Sequence, residues 1–163
     1  MGRNIPFGIK FTSKECDLRD RDQTTKLFQT HEPEAVLHLA AKVGGLGFHL
    51  SHKYDLFYDN IAINVNIIHA AKTHGVKRVL SYLSSCIFSA ESESPYTEDM
   101  VFDHEPFSVH RPYGHAKRML QVQSQICNEE SGLQFSCVIP TNIYGISDNH
   151  NFDSGHVVGG LIH

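Results

Sequence analysis

The chain has 163 residues, a formal net charge of −4 with histidine neutral, and 40% hydrophobic residues. That length suffices for one domain with its own core, and the acidic balance gives no electrostatic footing for nucleic acid or an anionic membrane. No apolar run approaches the roughly 20 residues of a membrane span, and the opening Met1-Gly2-Arg3-Asn4-Ile5-Pro6 lacks the apolar stretch of a signal peptide and the Ser or Thr that myristoylation of Gly2 would want.

In chain order, Ile9-Lys10-Phe11 reads as a short strand running into polar Thr12-Ser13-Lys14. Asp20 to Thr30 has a helical pattern with Leu27 and Phe28 as core candidates, and Ala35-Val36-Leu37-His38-Leu39-Ala40 suits a buried strand. His38 reads as a satisfied strand-end histidine rather than a ligand. A long helix is expected from about Tyr54 to Thr73, where Ile61, Val65, Ile68 and Ala71 recur at steps of three and four, with Gly75 ending it. Lys77 to Ser84 is the next strand, and a segment rich in Ser, Glu and Pro then runs irregularly from Ser85 to His110. Pro112 opens a helix that continues to about Glu130, Ser131-Gly132 ends it, Phe135 to Pro140 is a further strand, and Val157 to Ile162 begins one more helix.

Strands alternating with helices predict an α/β protein with a parallel sheet and right-handed crossovers. No repeat or linker divides the chain, so 1–163 is read as a single domain. Four cysteines occur, Cys16, Cys86, Cys127 and Cys137, with no C-x-x-C pair and no disulfide framework, so thiols and a cytoplasmic location are expected. The twelve histidines form no H-E-x-x-H or Cys/His cluster, so no metal site is expected.

Tyr113 and Lys117 stand four residues apart, a step that puts two side chains on one face of a helix. An ammonium beside a phenol favours the phenolate and is expected to lower the tyrosine pKa. The spacing equally describes a surface helix with an amphipathic tyrosine and a solvated lysine. Ser84-Ser85-Cys86 and Thr141-Asn142, however, fall just past strand ends, where parallel sheets gather their chemistry. A serine hydroxyl, a phenol and an amine around one carbonyl point to carbonyl–alcohol redox chemistry with a nicotinamide hydride.

Six segments carry a resemblance: Cys16-Asp17-Leu18, the run from Val36 to Gly45, Leu83-Ser84-Ser85-Cys86-Ile87-Phe88, Tyr113 to Met119, Pro140-Thr141-Asn142-Ile143-Tyr144-Gly145, and Gly155-His156-Val157. By them the chain resembles the extended short-chain dehydrogenase/reductases, and within these the GDP-L-fucose synthases, from about Lys14 to its last residue. The resemblance implies a Rossmann-like domain and a GDP-sugar substrate. Ser84 would hydrogen-bond the C4 carbonyl, Tyr113 would protonate its oxygen, and Lys117 would hold the nicotinamide ribose. Cys86 and His156 would be the acid/base pair that epimerises C3 and C5, since protons next to a ketone are acidified and a thiol and an imidazole both titrate near neutrality. NADP(H) is the implied cofactor, with Asp17 and Leu18 near the adenine, Leu39, Ala40 and Ala41 along the dinucleotide, Pro140, Asn142 and Ile143 by the nicotinamide, and Lys14, with Thr12 and Ser13, where a 2′-phosphate is read. The family also pairs subunits through two long helices, here about 54–73 and 112–130, implying a homodimer.

The chain departs from the family pattern in three ways. The family's first strand and glycine-rich turn have no counterpart, and Val43-Gly44-Gly45-Leu46-Gly47 lacks the third glycine that would replace them. The family's C-terminal third, which supplies much of the sugar pocket, is also without a counterpart. Gly114 stands where relatives often carry serine. A sheet lacking a central strand is expected to bare an apolar edge, and a chain lacking the phosphate cradle is expected to have low activity alone. Another NAD-dependent nucleotide-sugar epimerase or dehydratase is the enzymatic alternative; a non-catalytic partner that dimerises with a full-length subunit is the other.

Overall fold

A computed structural model describes residues 8–146 together with 150 and 158. The first helix, α1 (Arg21–His31), starts where the Asp20 carboxylate accepts hydrogen bonds from the amides of Asp22 and Gln23 at 2.9 and 3.0 Å. Strand β1 (Ala35–His38) leads to a short helix, α2 (Leu46–Ser51), and then to the long α3 (Lys53–Thr73). Helix α3 stops at Gly75, whose φ of +69° lets the chain turn back so that the Val76 amide reaches the Ala71 carbonyl at 2.9 Å. Strand β2 (Arg78–Tyr82) follows. Two 3-10 turns, Ser85–Ile87 and Glu98–Phe102, punctuate the irregular segment beyond it. Helix α4 (Arg111–Ser131) carries Pro112 in its first turn and leads into β3 (Gln134–Val138).

The strands form one parallel sheet in the order β1-β2-β3, with His38 opposite Ser81 and Tyr82 opposite Val138. Phe28 of α1, Ile67, Ile68 and Ala71 of α3, Val79 of β2, Leu120 of α4 and Phe135 of β3 share one buried core. This is the parallel α/β architecture that the element order predicts, and the Rossmann-like arrangement that the resemblance implies. Among the described residues β1 pairs only with β2, and Leu37 and Leu39 are 49% and 57% exposed. No described helix is long and apolar enough to cross a membrane.

Three expectations change. Ile9-Lys10-Phe11 is not a strand: Ile9 is 63% exposed, and the segment lies against no described sheet edge, so nothing satisfies the backbone of an extended conformation. Helix α2 was not anticipated, because its three glycine-rich preceding residues and Gly47 read as loop. On α3, Ile68 and Ala71 are buried, but Val65 is 45% exposed and Ile61 is only partly covered. The buried face instead includes Asn60 and Asn64, whose amides are satisfied internally: Asn60 donates to the carbonyls of Lys42 and Leu56, and Asn64 to that of Ala116. A hydropathy pattern does not register a polar side chain that carries its hydrogen bonds into the core. The helix expected over 157–162 lies outside the described residues.

Candidate active site

Because the strands are parallel, the segments leaving their C-terminal ends emerge at one rim of the sheet. These are Leu39-Ala40-Ala41 after β1, Leu83-Ser84-Ser85-Cys86 after β2, and Ile139 to Asn142 after β3. Helix α4 returns from β2 to β3, so its first turn, with Tyr113, stands at the same rim.

Ser84 is half-buried, and its hydroxyl accepts from the Cys86 amide at 3.3 Å, capping the 3-10 turn. Cys86 lines a cavity of about 370 Å³ together with Phe88, Tyr96, Phe107, His110 and Asn142. Tyr113 is 7% exposed and Lys117 2%. Lys117 Nζ lies 5.7 Å from the Tyr113 ring centroid and donates to the Tyr82 carbonyl at 2.7 Å. Two residues on one helical face, Tyr113 and Lys117, thus join the end of β2 to the first turn of α4.

The electrostatics reverse one expectation. Burial pushes the Tyr113 phenol well above its ordinary value, and the nearby Cys86 adds to the rise. Burial also pushes Lys117 down to about 8. Desolvation disfavours the charged form of each group and is the largest cause of both shifts. Tyr113 is therefore held as the protonated phenol, the form that can donate a proton.

The other predicted residues distribute along the same rim and its flank. Leu39 and Ile143 are 57% and 70% exposed, Ala40, Ala41 and Pro140 are half-buried, and Asn142 reaches the Cys86 cavity. Asp17 is engaged: Arg19 holds its carboxyl down at about 2, and its amide donates to Gln23 Oε1 at 3.1 Å. The Leu18 carbonyl accepts from Asn66 Nδ2 at 2.9 Å, which lays this segment along α3. Thr12 bonds the Glu15 carboxylate through both its amide and its hydroxyl at 2.8 Å, while Lys14 is exposed. His156 lies outside the described residues.

Several residues at this rim were not foreseen. The His49 ring meets the Tyr113 ring edge-on at 5.8 Å and the His110 ring at 4.6 Å, with the two Nδ1 atoms 3.3 Å apart. One of those nitrogens must be bare for the contact to be a hydrogen bond. His38, expected to be a satisfied strand-end histidine, is one: it is buried and donates to Asn64 Oδ1 at 3.0 Å, and Asn64 in turn donates to the Ala116 carbonyl at 3.1 Å, beside Lys117. Nothing in the local sequence pairs His49 with His110, which are 61 residues apart.

A parallel Rossmann-like sheet with a tyrosine, a lysine and a serine at its rim defines a class of nucleotide-dependent α/β proteins. The family model described as "NAD dependent epimerase/dehydratase family" matches residues 4–163, and the chain belongs to that family. It is similar to a GDP-L-fucose synthase of Dictyostelium discoideum, 42% identical over 93% of this chain and 47% of that protein. It is also similar to a GDP-L-colitose synthase of Yersinia pseudotuberculosis, 29% identical over 93% of this chain and 49% of that one. The crystal structure of a GDP-L-fucose synthetase from Naegleria fowleri bound to NADP superposes with a TM-score of 0.88 at 39% identity, covering 95% of this chain and 51% of that chain. The chain spans about half the length of the curated relatives it matches.

Proposed function

We propose that these residues carry the catalytic core of a cytoplasmic GDP-sugar epimerase-reductase. It would convert GDP-4-keto-6-deoxy-D-mannose to GDP-L-fucose by 3,5-epimerisation and NADPH-dependent reduction at C4. The observation that supports this most is the placement of protonated Tyr113, Lys117 and the Ser84–Cys86 turn at one sheet rim. The similarity to GDP-L-fucose synthases supports the same substrate class.

The chain's residues fit a dinucleotide on the nicotinamide side. Exposed Leu39 and Ile143 and half-buried Ala40, Ala41 and Pro140 offer apolar surface at the rim, and Asn142 lies by the Cys86 cavity. Lys117 would hold the ribose. At the adenine end Asp17 and Leu18 would form a wall, the Asp17 carboxylate being occupied by Arg19, and exposed Lys14 would meet a 2′-phosphate. When bound, NADPH supplies a hydride to C4. Ser84 would donate a hydrogen bond to the C4 oxygen and Tyr113 would give it a proton, so that charge developing on that oxygen is neutralised as it forms. The same two donors would stabilise the enolate that forms when Cys86 and His156 move protons at C3 and C5.

With relatives twice its length, we propose that this chain alone has low turnover and acts with a second copy. Support for self-association is a stripe on the outer side of α3, where Tyr54, Phe57, Tyr58 and Val65 are 40 to 73% exposed, beside exposed Met119 and Ile126 on α4. Turnover of the keto-sugar with NADPH, measured beside the Dictyostelium relative, tests the function. Residual activity that Tyr113→Phe lowers by about 10²- to 10⁴-fold is expected, with deuterium uptake at C3 and C5 lost in Cys86→Ser. Unchanged activity in Tyr113→Phe would overturn the assignment.

A further inference from the structure

Lys117 and its neighbour Arg118 lie one residue apart on α4, yet each reaches a different part of the β2 exit. Lys117 holds Tyr82, the last residue of the strand. Arg118, only 5% exposed, sends Nε and Nη2 to the Ile87 carbonyl at 2.9 and 2.6 Å. Ile87 closes the 3-10 turn that holds Cys86 at its centre, its own amide donating to Ser84 at 3.1 Å. The Arg118 guanidinium also lies 5.8 Å from the Phe102 ring, in the second 3-10 turn. One buried cation therefore fixes both turns of the irregular segment to α4.

Gly114 stands four residues before Arg118, on the same face, rotated by one residue from the Tyr113 and Lys117 face. A Cβ there would fall 2.7 Å from the Cys86 carbonyl oxygen and 2.8 Å from Pro106 Cβ. Gly114 thus lets the Cys86 turn approach the helix backbone, and Arg118 holds it there. The two groups bracket the turn from Cys86 to Ile87.

We infer that Arg118 is a positioning residue for Cys86, so that α4 anchors the two halves of the chemistry separately: Lys117 at the strand end for reduction, Arg118 at the thiol turn for epimerisation. This rests on the proposed role of Cys86 in proton transfer at C3 and C5. Two donors on one carbonyl oxygen fix the direction as well as the position of the turn, a geometry that an ammonium cannot reproduce.

The decisive measurement does not require turnover. Alkylation of Cys86 by iodoacetamide is followed by peptide mass spectrometry in wild type, Arg118→Lys and Arg118→Met, with Cys16, Cys127 and Cys137 as internal references. Freeing the Ile87 carbonyl is expected to change the Cys86 rate by about five-fold or more in Arg118→Met. The change should be smaller in Arg118→Lys, with the reference cysteines unaltered. Rates at Cys86 that match wild type in both variants would overturn the inference. If Arg118→Met does not fold, the Arg118→Lys comparison decides alone. Where wild type turns over, deuterium uptake at C3 and C5 should fall more than hydride transfer in both variants, a split that general loosening would not produce. Wild type with neither exchange nor reduction would remove the proposed function, while the alkylation result would still judge the clamp.

Discussion

Lys117 Nζ donates to the Tyr82 carbonyl oxygen at 2.7 Å, tying the second turn of α4 to the end of the central strand. The amine is 2% exposed, and burial carries it down to about 8 from an ordinary 10.5. The unfolded chain therefore binds more protons than the folded one between those values, and stability should rise as pH climbs from about 8 to 10.5. The span corresponds to about 3 kcal/mol. Urea midpoints across that range should climb in wild type and flatten in Lys117→Met, which should also lose about 1–3 kcal/mol near neutrality from the unpaired Tyr82 carbonyl. A wild-type midpoint that falls over the same range would contradict this.

His38 gives the acid-side counterpart. Its imidazole is held down to about 4 from 6.5, chiefly by burial, against the opposing hydrogen bond that it donates to Asn64 Oδ1. Its stabilising contribution is whole above 6.5 and is lost as pH falls through about 4. We expect about 3 kcal/mol to disappear across that window. In His38→Gln the pH dependence should be shallower, read from denaturation midpoints at several acidic pH values, and an equally steep variant would show that another group governs acid sensitivity.

Gly114 makes a prediction opposite in sign to helix propensity. In an open helix, alanine would be favoured over glycine by about 1 kcal/mol. At this position the new methyl meets the Cys86 carbonyl at 2.7 Å, so the turn must move away. Gly114→Ala should therefore be net destabilising by about 1–3 kcal/mol, with a lower thermal midpoint. A more stable variant would mean that the turn yields freely.

The outer face of α3 predicts association. The Tyr54 and Tyr58 rings stack at 5.8 Å and are 73% and 57% exposed, in line with Val65. If this face meets a second copy, wild type should sediment as a dimer and Tyr58→Glu as a folded monomer. A wild-type chain that stays monomeric at micromolar concentration would refute the self-pairing.

The order of strands and helices was legible in the sequence because it is a local property. Periodicity marked α3, Asp20 and Pro112 marked helix starts, and Gly75 and Gly132 marked helix ends with φ of +69° and +62°. The step from Tyr113 to Lys117 places both on one helical face before any fold is known. What the sequence could not settle depended on which distant segments meet. The phenol's proton affinity was expected to fall with an ammonium nearby, and burial raises it instead, because desolvation belongs to the assembled core. Asn60 and Asn64 joined the buried face because their hydrogen-bond partners lie 18 and 52 residues away. Nothing in the sequence singled out Arg118; packing delivers the Ile87 carbonyl, 31 residues upstream, to its guanidinium. Local spacing determines which side chains share a face; only tertiary packing decides what they face, and with it their charge.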